Sequence, residues 1–91
     1  MSNALDVIEN NLSLVIDEMA AQSDVAKTYP AGLLPHIDHM EQLKEWLDVG
    51  EAGIAYESID DSLEKLPYTL SDRAAAKLSE AGRLLGFSSS S

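Results

Sequence analysis

Ninety-one residues suffice for one domain with a modest core, and sixteen acidic against six basic side chains give a formal charge of −10 at pH 7. That balance argues against nucleic acid or anionic lipid as a direct ligand, since both need Lys and Arg to neutralise phosphate. A hydrophobic content of 45% predicts a folded globule rather than an acidic tail, and the absence of cysteine excludes disulfides and thiolate chemistry.

The N-terminal stretch MSNALDVIENN has no basic segment followed by a long apolar one, so no signal peptide is expected. Nor does any apolar run approach the ~18 residues of a membrane span, and a soluble, cytoplasmic protein is the expectation. The first helix is predicted from about Ala4 to Ala21, capped by Ser2 or Asn3. Leu5, Ile8, Leu12, Val15, Ile16 and Met19 share one face at helical spacing and predict a core helix. Val7 and Leu14 fall outside that face, either under the following loop or at a homodimer contact.

Residues 22–35 read as a connector, because Tyr29-Pro30 and Leu34-Pro35 disfavour helix before each proline. One helical turn around Asp24–Thr28 is allowed, and Leu33 and Leu34 are expected to plug one end of the core. The second helix is predicted from Pro35 or His36 to Val49, with Gly50 as its left-handed stop. Met40, Leu43 and Leu47 form its buried stripe, with Trp46 at the edge. The third runs from about Glu51 to Leu66 and buries Ala55, Ile59, Leu63 and Leu66, and Pro67 ends it. After a Pro-Tyr-Thr-Leu turn, Ser71 caps a fourth helix that continues to Leu85 before Gly86, with Leu78 and small residues (Ala74 or Ala75, Ala81 or Gly82) facing inward. Nothing alternates with period two over strand length. The fold class is therefore all-α: one domain over residues 1–87, a small bundle of four helices, or five, with a frayed serine tail at 88–91.

Two acidic stripes stand out. Asp38, Glu41, Glu45 and Asp48 recur at i, i+3, i+7 and i+10, and Glu57, Asp60, Asp61 and Glu64 at i, i+3, i+4 and i+7. At ~100° per residue each set occupies an arc roughly 80–100° wide, opposite the core stripe of its helix. Such arcs are ordinarily solvated outer faces. Here like charges at i,i+3 and i,i+4 cost a few tenths of a kcal/mol per pair (~0.2–0.5), repeated on adjacent helices and only partly relieved by Lys44 and Lys65. Repetition of that cost points to a surface kept negative for a cationic partner. Trp46 and Tyr56 are the largest candidate anchors, with packing at the core edge the competing reading.

Other chemistry is weakly represented. His36 and His39 are three apart, but no third ligand has suitable spacing, so no metal is expected. No nucleophile triad, phosphate loop or acid/base pair is evident; neither catalysis nor a cofactor is expected. The tripeptide Asp61-Ser62-Leu63 matches the attachment motif of acyl and peptidyl carrier proteins. However, Ser62 lies late in a predicted helix rather than at the start of one.

The segment Trp46-Leu-Asp-Val-Gly-Glu-Ala-Gly-Ile-Ala-Tyr-Glu-Ser-Ile59 is more specific. It resembles the central signature of the Maf-type immunity proteins of bacterial polymorphic-toxin and contact-dependent growth inhibition systems. In that family a helix ends in a Gly-Glu turn and the next reads Gly-Ile/Leu-Ala-x-Glu-x-Leu. Downstream, Thr69-Leu70-Ser71-Asp72 and Glu80-Ala81-Gly82-Arg83-Leu84-Leu85-Gly86 are similar to the family's loop and closing helix. The resemblance covers roughly Gly32 to Gly86 and departs at Pro67-Tyr68, where such proteins often carry more acid.

The resemblance implies an inhibitor that occludes the C-terminal domain of a cognate toxin, usually a nuclease with a basic cleft, without touching nucleic acid or membrane itself. Expected partner-binding residues are Asp38, Glu41, Glu45, Asp48, Glu51, Glu57, Asp60, Asp61 and Glu64, with Trp46 or Tyr56 as anchor. A monomer or weak homodimer is expected. The alternatives are a carrier domain modified at Ser62 and a helical adaptor or homodimer using Val7 and Leu14.

Overall fold

A computed structural model describes residues 4–32 and 35–87. Helix α1 spans Ala4–Ala20, α2 His36–Asp48, α3 Ala52–Lys65 and α4 Asp72–Leu85, and a 3-10 turn covers Ser23–Thr28. No strand occurs among the described residues, and no helix is long and apolar enough to cross a membrane. The all-α expectation holds, and so does the single turn placed near Asp24–Thr28. The caps assigned to Ser2 or Asn3, the Leu33–Leu34 plug and the serine tail lie outside the described residues.

Helix α1 organises the bundle because its apolar arc is the widest. Ile8, Leu12, Val15, Ile16 and Met19 meet Met40, Leu43 and Leu47 of α2, Ala55 and Ile59 of α3, and Ala74, Leu78 and Ala81 of α4. Its most extensive packing is against α4, where alanines let the two helices approach closely. That side of α1 also carries polar links. Asn11 Nδ2 donates to the Lys77 carbonyl (3.1 Å) and to Glu80 Oε1 (2.7 Å). Leu14 packs on the core, and both it and Val7 are half-buried.

The helix ends follow local rules. Gly50 has φ +82°, and around it Glu51 N–H donates to Trp46 O (2.7 Å) while Gly50 N–H donates to Leu47 O (3.2 Å). This paired 6→1 and 5→2 closure ends α2 at Asp48, one residue before the expected Val49, and delays α3 to Ala52. The same pattern ends α4, where Phe87 N–H donates to Gly82 O (2.9 Å) and Gly86 N–H to Arg83 O (3.1 Å). At the start of α4, Ser71 Oγ accepts from Ala74 N–H at 3.1 Å as expected. Glu18 of α1 holds that cap by accepting from Ser71 N–H (3.0 Å) and Oγ–H (2.6 Å). These bonds hold the Glu18 carboxyl below its ordinary pKa.

One assignment of the inner face of α3 changes. Leu63 is only half-buried, while Ser62 and, in the following loop, Tyr68 are buried. The arc of α3 that faces α1 and α2 therefore runs through Ala55, Ile59, Ser62 and Leu66, and Leu63 turns toward its rim.

Candidate functional site

Every residue of the two acidic stripes is exposed: Asp38, Glu41, Glu45 and Asp48 on α2, and Glu57, Asp60, Asp61 and Glu64 on α3. Glu51, in the turn just before α3, is exposed as well. The two helices are packed neighbours running in opposite directions: the Gly50 turn joins them at one end, and His39 near the start of α2 meets Ser58 of α3.

Intrachain neutralisation is slight. Lys65 pairs with Asp61 at 3.0 Å, and Lys44 pairs not with its own stripe but with Asp17 of α1, also at 3.0 Å. Among the described residues, Asp61 is the one stripe carboxylate in an intrachain ion pair. Residues 36–65 hold nine carboxylates and two lysines, so seven of the ten net negative charges sit on this hairpin. Three of the six basic residues, Arg73, Lys77 and Arg83, lie instead on α4.

A seam divides the stripes. On α2, His39, Gln42 and Trp46 lie on the flank toward α3, while Lys44 lies toward α1. On α3, Ser58 flanks α2 and Tyr56 flanks α4. The acidic arcs thus face outward on either side of the α2–α3 junction. Near the turn the chain exposes Val49 (66%) and Ile54 (43%), and at the far end of α2 it exposes Ile37 (70%), while half-buried Trp46 packs on the core. Glu45, Asp48 and Glu51 adjoin the apolar residues near the turn in sequence. Exposed apolar residues with acidic neighbours are a composition that interfaces use.

The two candidate anchors differ. Tyr56 stacks on Phe87 with ring centroids 5.2 Å apart and an interplanar angle of 8°. It also crosses Gly82 so closely that a Cβ there would sit 2.6 Å from its hydroxyl oxygen. Its position is explained by packing between α3 and α4. Among the described residues Trp46 has no ring partner of that kind. Ser62, the carrier-like serine, is only 5% exposed, and its hydroxyl donates to the Ser58 carbonyl at 2.9 Å. An arm attached there would have to leave the core, so the geometry gives a carrier role no support.

The sequence pattern did not disclose a second polar constellation, at the other end of α2. His36 is buried, its Nε2 3.2 Å from the Ala20 carbonyl and its Nδ1 2.7 Å from the Tyr68 hydroxyl. Tyr68 and Tyr29 join hydroxyl to hydroxyl. The Tyr29 hydroxyl lies 2.8 Å from His39 Nδ1, and His39 Nε2 lies 3.4 Å from Ser58 Oγ. Burial pushes both tyrosine hydroxyls above their ordinary pKa and keeps them protonated. Burial, followed by the charge of His36, pulls the His39 imidazole below its ordinary value. The only sequence signal was two histidines at the start of a helix. Among the described residues no group of three His, Asp, Glu or Cys is placed to hold a metal ion.

Comparison of the chain with family models, with curated proteins and with solved structures finds no match, which leaves the side chains themselves as the guide to function.

Proposed function

We propose that this chain is a stoichiometric protein inhibitor of the Maf-type immunity kind, which covers the cationic surface of a cognate toxin domain, a nuclease by class. The observation that carries the reading is charge segregation: nine exposed carboxylates face outward from one antiparallel helix pair, and half of the basic residues lie on α4. Charge kept only for solubility has no reason to be concentrated where it repels itself. Opposed to a nuclease cleft built to hold phosphate, the same surface accelerates encounter and occupies the substrate's place.

In this reading Trp46, Val49 and Ile54 form the apolar centre of the contact and the carboxylates its rim. Steering by the rim acts mainly on the association rate and fades with salt, and the apolar centre sets the dissociation rate. The chain itself performs no chemical step.

The test pairs the chain with the cationic C-terminal domain of the large secreted protein expected in the neighbouring gene. Co-expression should abolish that domain's toxicity, and the purified pair should form a one-to-one complex. Reversing Glu57, Asp60 and Asp61 to lysine should leave the helical signal intact and slow association at low salt by about tenfold or more. An unchanged rate at low salt would remove the acidic face of α3 from the mechanism.

A further inference from the structure

The clasp at the start of α2 has a proton inventory that can be worked out bond by bond. The Ala20 carbonyl can only accept, so His36 must carry its proton on Nε2. A neutral His36 then accepts at Nδ1 from the Tyr68 hydroxyl. Tyr68, having used its hydrogen, accepts from Tyr29. Tyr29 in turn accepts from His39 Nδ1–H, leaving His39 Nε2 to accept from Ser58. With both imidazoles neutral there is one consistent arrangement, and every hydrogen is used.

One added proton also fits. Placed on His39, it turns the Ser58 contact around. Placed on His36, it reverses all three hydroxyl–imidazole and hydroxyl–hydroxyl bonds, and His39 takes its other tautomer. A second proton does not fit: both imidazoles then donate inward to the tyrosine pair, and one hydroxyl hydrogen is left without an acceptor.

We propose that Tyr29, Tyr68, His36 and His39 form a one-proton clasp that fastens the connector and the α3–α4 loop to the start of α2 and opens on uptake of a second proton. This inference stands on the hydrogen-bond chain and does not depend on the inhibitor reading. The clasp ties four segments of the chain to α2: the end of α1 through Ala20, the connector through Tyr29, α3 through Ser58, and the loop through Tyr68, beside a separate link in which Thr69 N–H donates to Gln22 Oε1 (2.9 Å) and Gln22 Nε2 donates to the Thr69 carbonyl (2.6 Å). Both imidazoles lie in the first turn of α2, where the positive end of the helix dipole opposes a second cation.

The surrounding charges are few. On the α3 side His39 lines a cleft of about 200 Å³ with Asp61 and Lys65, which neutralise each other, and with Ser58 and Ser62. Glu41 and Lys44 of α2 share a groove with His36, and Lys44 is engaged by Asp17 of α1. The facing residues of the 3-10 turn, Ser23 and Ala26, are uncharged. Beyond α3, Tyr68 bonds His36 and Leu66 lines the His39 cleft, and both are uncharged.

The direction with pH follows. A histidine whose folded pKa lies below its unfolded value of ~6.5 binds fewer protons folded than unfolded. Its contribution to stability is complete above ~6.5 and is lost as pH falls from there toward the depressed folded value. Within that window the unfolding equilibrium constant rises by up to about tenfold per pH unit for the one proton that His39 refuses.

The experiment is long-range imidazole 1H–15N NMR on the full chain from pH 8 to pH 5, with amide exchange read at Tyr29 and the Tyr68–His36 ring contact read by NOE. At pH 8, His36 should be protonated at Nε2 and His39 at Nδ1. The first proton should leave the Tyr29 amide, bonded to the Ala26 carbonyl, protected and the stacked Tyr68 and His36 rings in contact, and the second should expose the amide and separate the rings. In Tyr29→Phe, which removes the link at a half-buried position, the two midpoints should draw together by at least about threefold in apparent affinity. His39 found protonated at Nε2 at pH 8 would overturn the proposal. So would uptake of both protons with Tyr29 protection and the Tyr68–His36 ring contact unchanged, or an unchanged separation of midpoints in Tyr29→Phe. Should that variant fail to fold, the wild-type tautomers and exchange decide alone.

Discussion

Helix α4 and the α2–α3 hairpin are built on the same plan, an apolar inner arc under a charged outer one, yet they treat charge in opposite ways. On α4, Lys77, Glu80 and Arg83 follow one another at i,i+3, and with Asp72 and Arg73 the helix carries a net charge of +1. Its acidic members also have structural duties: Glu80 receives Asn11, and Asp72 occupies the first turn, where the helix dipole favours it. On the hairpin, the outer carboxylates meet like neighbours and largely lack counterions within the chain. The contrast teaches that α4 balances its charge within the helix, whereas the hairpin, like α1 with its four carboxylates and no basic residue, does not. Where charge serves the fold it is balanced and bonded, and where it does not, a partner outside the chain is the economical explanation.

If that division is right, the hairpin should depend on its inner face and be indifferent, in folding, to its outer one. The largest effect is expected from Ile59→Ala, which empties a fully buried site beneath the α3 stripe. It should destabilise by about 2–5 kcal/mol in denaturant unfolding. Next comes Tyr68→Phe, which keeps the ring but leaves buried His36 without its donor, at about 1–3 kcal/mol. Ser71→Ala removes the cap of α4 together with a donor to Glu18, and should cost about 1 kcal/mol, mostly as fraying of α4 seen by amide exchange.

The smallest effect has the opposite sign. Glu57→Gln with Glu64→Gln should stabilise the chain by a few tenths of a kcal/mol (~0.2–0.5 per relieved pair) at low salt, and the gain should vanish in high salt. A loss of stability from that pair would mean that the stripe serves the fold after all, and the contrast with α4 would fail. Glu18 offers a pH counterpart on the α4 side. Its depressed carboxyl contributes stability above the ordinary carboxylate pKa of ~4.3, and that contribution is lost as pH falls through the lower folded value. Ser71→Ala should flatten this dependence.

Periodicity made most of the fold legible. Leu12, Val15 and Ile16, Met40 with Leu43 and Leu47, and Ala55 with Ile59 announce their buried arcs within single helices, and Gly50 and Gly86 announce the stops. The exposed acidic arcs were legible for the same reason, being the complements of those stripes. The Tyr–His clasp was not, because its members come from three segments and share no spacing: Tyr29 and Tyr68 are 39 residues apart, and His36 and Tyr68 are 32 apart. Tyr68 sits in a Pro-Tyr-Thr-Leu stretch whose composition says turn, while its burial comes from the packing of α2 against the loop. Tyr56 misled in the other direction. An aromatic at the edge of an arc suggests an anchor, and only the bare backbone of Gly82, 26 residues on, shows that another helix has taken it up.

The most direct measurement on the negative face is the association rate of the chain with the cationic toxin domain across an ionic-strength series, for the wild type and for the variant with Glu57, Asp60 and Asp61 changed to lysine. The expected result is a steep fall of the wild-type rate with salt, and a slow, nearly flat dependence for the variant, with the two converging at high salt. Equal rates with equal salt dependence would contradict the assignment of that surface to a partner.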